Sequence, residues 1–187
     1  MRFEVAEELI TRLNPKTQGL EMRVQGLQGG ITAHDIAHAM RGADVIEEAI
    51  ARYKFAGQSQ FREAIIQWLW AVAIRLKDRE RWHTSPDQHR TMAEIVLNTN
   101  IPDKLCPVCK GRKLAPNDLG KPDICSQCKG DGFIGLQAID KAQRLGVKES
   151  AYYKTYSCKI SQINQAFKEK DDNVIRKIAI FFTNRLT

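Results

Sequence analysis

The chain has 187 residues, 43% of them apolar and 27% charged, with a formal net charge of +7 and a pI of about 9.2. That length holds one ordinary domain or two small ones, and the composition excludes a disordered chain. The basic surplus points to an acidic partner, nucleic acid first, although a basic surface that is merely solvated has the same composition.

The charge is uneven. From Lys104 to Lys159 there are 11 Lys and Arg against 5 Asp and Glu, a formal +6. A divalent ion held there by four thiolates would leave about +4, still basic. The start, "MRFEVAEELI", carries acids where a secretory signal needs a basic region and an apolar run. The longest apolar run, "AIIQWLWAVAI", contains Gln67 and stops at Arg75, too short to span a bilayer. The expectation is a cytoplasmic chain with no membrane partner. In a reducing compartment, paired cysteines mean metal or redox chemistry more often than disulfides.

In chain order, "FEVAEELITRL" predicts a short helix that ends before Pro15. Residues 14–30 are rich in glycine and polar residues and read as a loop or mobile arm. Thr32 with Asp35 makes a weak capping box. It opens a helix on which Ile36, Met40, Ile46, Ile50 and Tyr53 recur, with a break near Gly57. Ser59 caps a long helix whose stripe is Phe61, Ile65, Trp68, Leu69, Val72 and Leu76. Ser85-Pro86 starts another helix, proline being favoured at the first position. Met92, Ile95 and Val96 form its inner face, and it stops before Pro102.

The cysteine module follows, and only there do strand signals occur. Beyond it, "LQAIDKAQRLG" predicts a short helix, and a second begins near Lys148 with Tyr152, Tyr156, Ile160, Ile163 and Phe167 inward. "KEKDD" is expected to interrupt it before a last helix with Val174, Ile178, Phe181 and Phe182. The fold class expected is therefore mainly α, a helical bundle with a helix-turn-helix and a small inserted four-cysteine zinc hairpin.

Cys106, Cys109, Cys125 and Cys128 are spaced C-x2-C-x15-C-x2-C, the pattern of a four-thiolate zinc site. Zinc takes four soft or borderline ligands in a tetrahedron, and a two-residue spacer lets both sulfurs of a pair meet one ion. Gly111 and Gly130 permit the tight turn that aims N–H groups at the sulfurs. Four protein ligands leave no open position, so one structural zinc is expected. A thioredoxin-like reading lacks its βαβ context. "CSQCKGDG" resembles the Cys-x-x-Cys-x-Gly-x-Gly repeat of DnaJ-type chaperone zinc modules. Those have four repeats, whereas this chain has two, with Lys113 in place of one glycine and no His-Pro-Asp.

"AIDKAQRLGVKESAYYKTY" follows a helix-turn-helix pattern: small Ala142 at the crossing, Gly146 in the turn, Val147 filling it and Tyr152 packing inward. In that motif the second helix enters the major groove. Lys148, Glu149, Ser150, Tyr153 and Lys154 are then the candidate DNA-contacting residues, with Arg144 beside them. Residues 87–99 supply a first helix. Arg112, Lys113 and Lys121 on the hairpin add phosphate contacts. A plain αα corner with a glycine turn has the same local pattern.

Elsewhere, His34 and His38 lie one helical turn apart and are expected to be ordinary histidines. His83 and His89 fall in a polar loop around Pro86. Cys158 is expected on a packed face. Trp68 reads as core, and Trp70 and Trp82 as a protein contact. No Ser/His/Asp or Cys/His arrangement suggests catalysis, so no enzyme is expected.

From about residue 32 onward, the order of "HDIAHAM", "FREAIIQWLWAVAI", the knuckles "CPVCKG" and "CSQCKGDGF", then "AIDKAQRLGVKESAYYKTY" and a final apolar helix resembles the late-gene antitermination Q proteins of lambdoid bacteriophages. The resemblance implies a protein that binds a double-stranded DNA element in a phage late promoter. It further implies engagement of bacterial RNA polymerase and its sigma subunit at a promoter-proximal pause, then readthrough of terminators with nascent RNA adjacent. It implies a region at 31–85 contacting polymerase and one at 86–187 reading DNA, with the zinc insertion at 104–134; residues 1–30, read above as helix and arm, have no counterpart in it. The alternatives are a zinc-containing helix-turn-helix regulator without antitermination, and a chaperone-like zinc module that binds protein chains.

Overall fold

The computed structural model describes residues 32–102, 106–110, 112, 114–116, 122–130 and 132–185. The expected helix at 3–13 and the arm at 14–30 lie outside them. The described chain is mainly helical, with one short hairpin at the cysteines. None of its helices is long and apolar enough to cross a membrane. The described residues pack as two compact units, one of those up to Ile65 with those from Lys168 onward, the other of those within Ile66–Phe167. Both boundaries fall within helices, and position 85/86 lies inside the second unit.

The first unit begins with α1, Ala33–Ala39, and α2, Val45–Lys54. One helix was expected over this stretch. The chain instead turns at Arg41-Gly42-Ala43, with Gly42 at φ +80°, and Asp44 starts a new helix. Its carboxylate accepts from the N–H groups of Ile46 and Glu47, both at 2.9 Å. The reciprocal bond from the Asp44 N–H to Glu47 completes a capping box. Gly42 and Asp44 are the break and start signals that the apolar spacing hides.

Glu47 is buried and accepts from Lys177 Nζ at 2.6 Å and Asn173 Nδ2 at 3.2 Å. Lys170 pairs with Asp44 and lies 3.6 Å from Glu47. Lys54 reaches Asp171 at 2.6 Å. These partners belong to "KEKDD" and the turn beyond it. That segment does not end the helix as expected, for α7 runs unbroken over Ser157–Arg185. It contains no glycine or proline, and charged residues tolerate helical backbone well. Lys170 and Asp171 meet Asp44 and Lys54, while Lys168 and Asp172 stay exposed.

The second unit takes up the long helix α3, Arg62–Glu80, which begins through a 3-10 turn at Ser59–Phe61. Ile65, Ile66, Leu69, Val72 and Ala73 are buried along it, while Phe61, Trp68, Trp70 and Leu76 are half-buried. Helix α4, Pro86–Asn100, starts as expected on Ser85, with proline in its first turn. Met92, Ala93, Ile95, Val96 and Leu97 are fully buried. Each such large aliphatic side chain contributes about 1.5–3 kcal/mol of burial. Asn100 Nδ2 donates to Asn164 Oδ1 of α7 at 2.6 Å, satisfying two polar side chains at the edge of this face.

His89 and Trp82 correct their expected positions. His89 is 2% exposed on the inner face of α4, and its Nε2 lies 2.6 Å from Thr84 Oγ1. Trp82 is buried, its ring 5.6 Å from Lys159 Nζ, which also lies 5.3 Å from the Tyr156 ring. A cation over two aromatic faces retains part of the stabilisation that water would give it. Cys158, expected on a packed face, is exposed. The inward stripe is Tyr152, Tyr156, Ile160, Ile163 and Phe167, all buried as expected.

Candidate metal centre and adjoining turn

The four paired cysteines converge. Their sulfurs all lie within 4.8 Å of one another, and all four residues are buried. Cys106 Sγ is 3.8 Å from Cys125 Sγ, and Cys109 Sγ is 3.6 Å from Cys128 Sγ. A tetrahedron with arms of about 2.3 Å has edges of about 3.8 Å, so the spacing fits a zinc-sized ion. It does not fit a disulfide, whose sulfurs stand about 2 Å apart. Each contact joins one thiol of the first knuckle to one of the second. The cluster therefore staples two segments that are 19 residues apart in each pairing.

Local backbone chemistry builds each knuckle. Lys110 N–H donates to Cys106 O at 2.7 Å and Arg112 N–H to Cys109 O at 2.9 Å. The chain turns back through left-handed residues, Lys110 at φ 51° and Lys129 at φ 52°. The turn was expected to rest on Gly111 and Gly130. Gly130 is indeed left-handed, at φ +89°, whereas Gly111 lies outside the described residues. A left-handed lysine costs roughly 1–2 kcal/mol, and its recurrence at the same place in both knuckles marks a conformation imposed by bringing two sulfurs together. The module closes where Cys106 N–H donates to Gly132 O at 2.9 Å and Gly132 N–H to Cys128 Sγ at 3.2 Å.

The sulfur environments differ. The Cys128 amide, helped by that of Gln127 and opposed by burial, draws the Cys125 thiol down to about 7. Burial pushes the Cys128 thiol up to about 11. A coordinated divalent ion would outweigh both effects and would hold every ligand sulfur as thiolate. Four thiolates would complete the shell of such an ion, which fits a structural role for the site.

Between the knuckles, β1, Leu114–Pro116, pairs antiparallel with β2, Pro122–Ile124. Ala115 packs against the cysteine cluster. Arg112 is exposed, and its Nε donates to Cys109 O at 3.3 Å. Lys113 and Lys121 lie outside the described residues.

Beyond the module, α5 covers Ala138–Arg144, and Asp140 in its first turn accepts from the N–H of the N-cap residue Gln137 at 3.0 Å. The helix ends in a Schellman arrangement: Val147 N–H donates to Ala142 O and Gly146 N–H to Gln143 O, both at 3.0 Å. Gly146 has φ +67°, the left-handed conformation that this cap requires. Lys148 is then the N-cap of α6, Glu149–Ala151, which continues through a π-helical turn at Tyr152–Tyr156 into α7. Ala142, Leu145 and Tyr152 are buried at the crossing. Burial pushes the Tyr152 phenol up. Lys148, Glu149, Ser150, Tyr153, Lys154 and Arg144 are all exposed, so one glycine turn brings the candidate contact residues of α6 to the surface.

Among the described residues, no other group of three or more His, Cys, Asp or Glu side chains converges. His34 and His38 are exposed, with rings 4.5 Å apart. Sequence reasoning overlooked two arrangements. The Lys159 contact with Trp82 and Tyr156 joins positions far apart in sequence and left no local signal. The pairing of Leu114 with Ile124 depends on strand register and left none either. The chain matches no protein-family model and no curated protein.

Proposed function

We propose that this protein is a DNA-binding transcription antiterminator of bacteriophage type that works in the bacterial host cytoplasm. One zinc on Cys106, Cys109, Cys125 and Cys128 fixes the hairpin. The helix-turn-helix formed by α5 and the helix starting at Glu149 reads a double-stranded element at a late promoter. Lys148, Glu149, Ser150, Tyr153 and Lys154 face the groove. Arg144, Arg112, Lys113 and Lys121 meet phosphates. The protein then loads onto paused RNA polymerase with its sigma subunit and carries it through terminators, close to the nascent RNA.

One observation carries this reading: a buried four-cysteine cluster directly precedes a glycine-turned helix pair whose exposed side is rich in cations. The resemblance to phage Q proteins supports the step from DNA binding to antitermination, because it rests on the order of these same motifs. The test is run-off transcription across a terminator, on a template carrying a phage late promoter and its pause. Added protein should raise readthrough in proportion to promoter occupancy. DNA binding without added readthrough would leave the plain zinc-containing regulator. Failure to bind any DNA would leave the protein-binding zinc module.

A further inference from the structure

The outward face of the zinc hairpin has a composition that phosphate contact does not explain. Leu114 and Ile124 are direct cross-strand partners and so share one face of the two-stranded sheet. They are 50% and 65% exposed. Ala115, between Leu114 and Pro116, packs toward the cysteine cluster. Alternation along the strand therefore turns the Leu114 and Ile124 pair away from the metal centre. A solvated strand face ordinarily carries polar residues there. Val108, in the first knuckle, is also 53% exposed. Single exposed aliphatics need no explanation, but Leu114 and Ile124 are adjacent across the strands and form a paired apolar face.

The backbone keeps the pair presented. Ile124 Cγ2 lies 3.4 Å from where a Cβ on Gly130 would stand, so the aliphatic side chain rests on a glycine held at φ +89°. The cysteine staple below fixes both strands. The charges of the module select the partner. Lys110 and Lys129 are exposed in the two knuckles, and Asp123 in β2. Aliphatic side chains offer phosphates nothing, and a second copy of a chain with net charge +7 would meet like charge. A protein surface with an apolar cleft edged by carboxylates complements both features.

We infer that the Leu114 and Ile124 face of the hairpin docks an acidic, apolar protein surface, so the metal module is a protein-binding element beside the DNA-reading turn. The inference rests on the proposed function for its probe, which is bacterial RNA polymerase holoenzyme. The full zinc-loaded chain is compared with the Leu114→Thr, Ile124→Thr double variant, since threonine keeps strand propensity. Zinc content, DNA affinity and polymerase association are measured on each. The variant should keep its zinc and its DNA affinity and lose about tenfold in polymerase association. Wild-type association should weaken with salt. Hydrogen exchange supplies a reading that needs no variant: amides of residues 106–130 in the wild-type chain should slow when polymerase is added.

Unchanged association of the variant, or unslowed exchange, overturns the inference while DNA binding and readthrough by the wild type leave the antiterminator reading standing. Parallel loss of DNA affinity also overturns it and makes the hairpin face a nucleic-acid surface. A wild-type chain that binds DNA but never polymerase overturns the inference together with that reading.

Discussion

Glu47 Oε2 accepts a 2.6 Å bond from Lys177 Nζ, a residue 130 positions further along the chain. The carboxylate is buried, whereas the lysine is about one-third exposed. Burial works to raise the Glu47 carboxyl, but bonds from Lys177 and Asn173 hold it below its ordinary 4.5. Its stabilisation is therefore complete above that value and is lost as pH falls through the lowered one. Asp44 is shifted the same way, with Lys170 overcoming burial. Glu47→Ala leaves three donors without their acceptor. It should cost about 1–3 kcal/mol, toward the low end because the lysines can rehydrate. A lower urea midpoint at constant slope would register it.

His89 adds a loss in the same direction, beginning at higher pH. Burial, then the charges of Lys77 and Lys159, hold its imidazole below 6.5, against a smaller opposing pull from Asp78. The folded chain thus binds fewer protons than the unfolded one, and stability should decline as pH drops below 6.5. Melting temperatures at pH 7.5 and 5.5 would show the loss. His89→Gln keeps a hydrogen-bonding partner for Thr84 and should flatten that segment of the profile.

Thiol chemistry separates the cysteines. With metal bound, only exposed Cys158 should react with an alkylating reagent. After chelation all five should react, and the amides between Cys106 and Gly132 should lose protection from exchange. Cys125→Ser should reproduce the chelated pattern and lower zinc content from about one equivalent to well below half. Rapid alkylation of all five cysteines in the metal-replete protein would count against a four-thiolate site.

Gly146 tests the turn. Open space surrounds the place where its Cβ would stand, so Gly146→Ala meets no clash and carries only the strain of φ +67°. The cost should be about 1 kcal/mol, seen as a lower melting temperature with zinc content unchanged.

Lys148 and Lys154 test the proposed DNA face. Removing either by alanine should weaken binding and reduce the slope of log affinity against log salt by about 1. Equal slopes for wild type and variants would place these lysines away from phosphates.

The sequence by itself determined the elements whose signals are local. Four cysteines at fixed spacing sufficed for the cluster. Ser85-Pro86 sufficed for the start of α4, and Gly146 for the left-handed turn. Each depends on a few adjacent residues and a backbone conformation that few residues adopt. The stripes of α4 and α7 were legible for a similar reason, since helical periodicity needs only the chain itself. Tertiary structure decided what depends on distant partners. "KEKDD" read as a break because it is polar, but its Lys170 and Asp171 find Asp44 and Lys54, and a charged segment with partners has no reason to leave the helix. His89 read as a loop residue until the turn of α4 carried it inward to Thr84. Trp82 read as surface until Lys159 was brought over its ring. Leu114 and Ile124 acquired meaning only when strand register put them side by side on the face turned away from the sulfurs. The sequence carries the periods and caps; burial, pairing and register are properties of the packed chain.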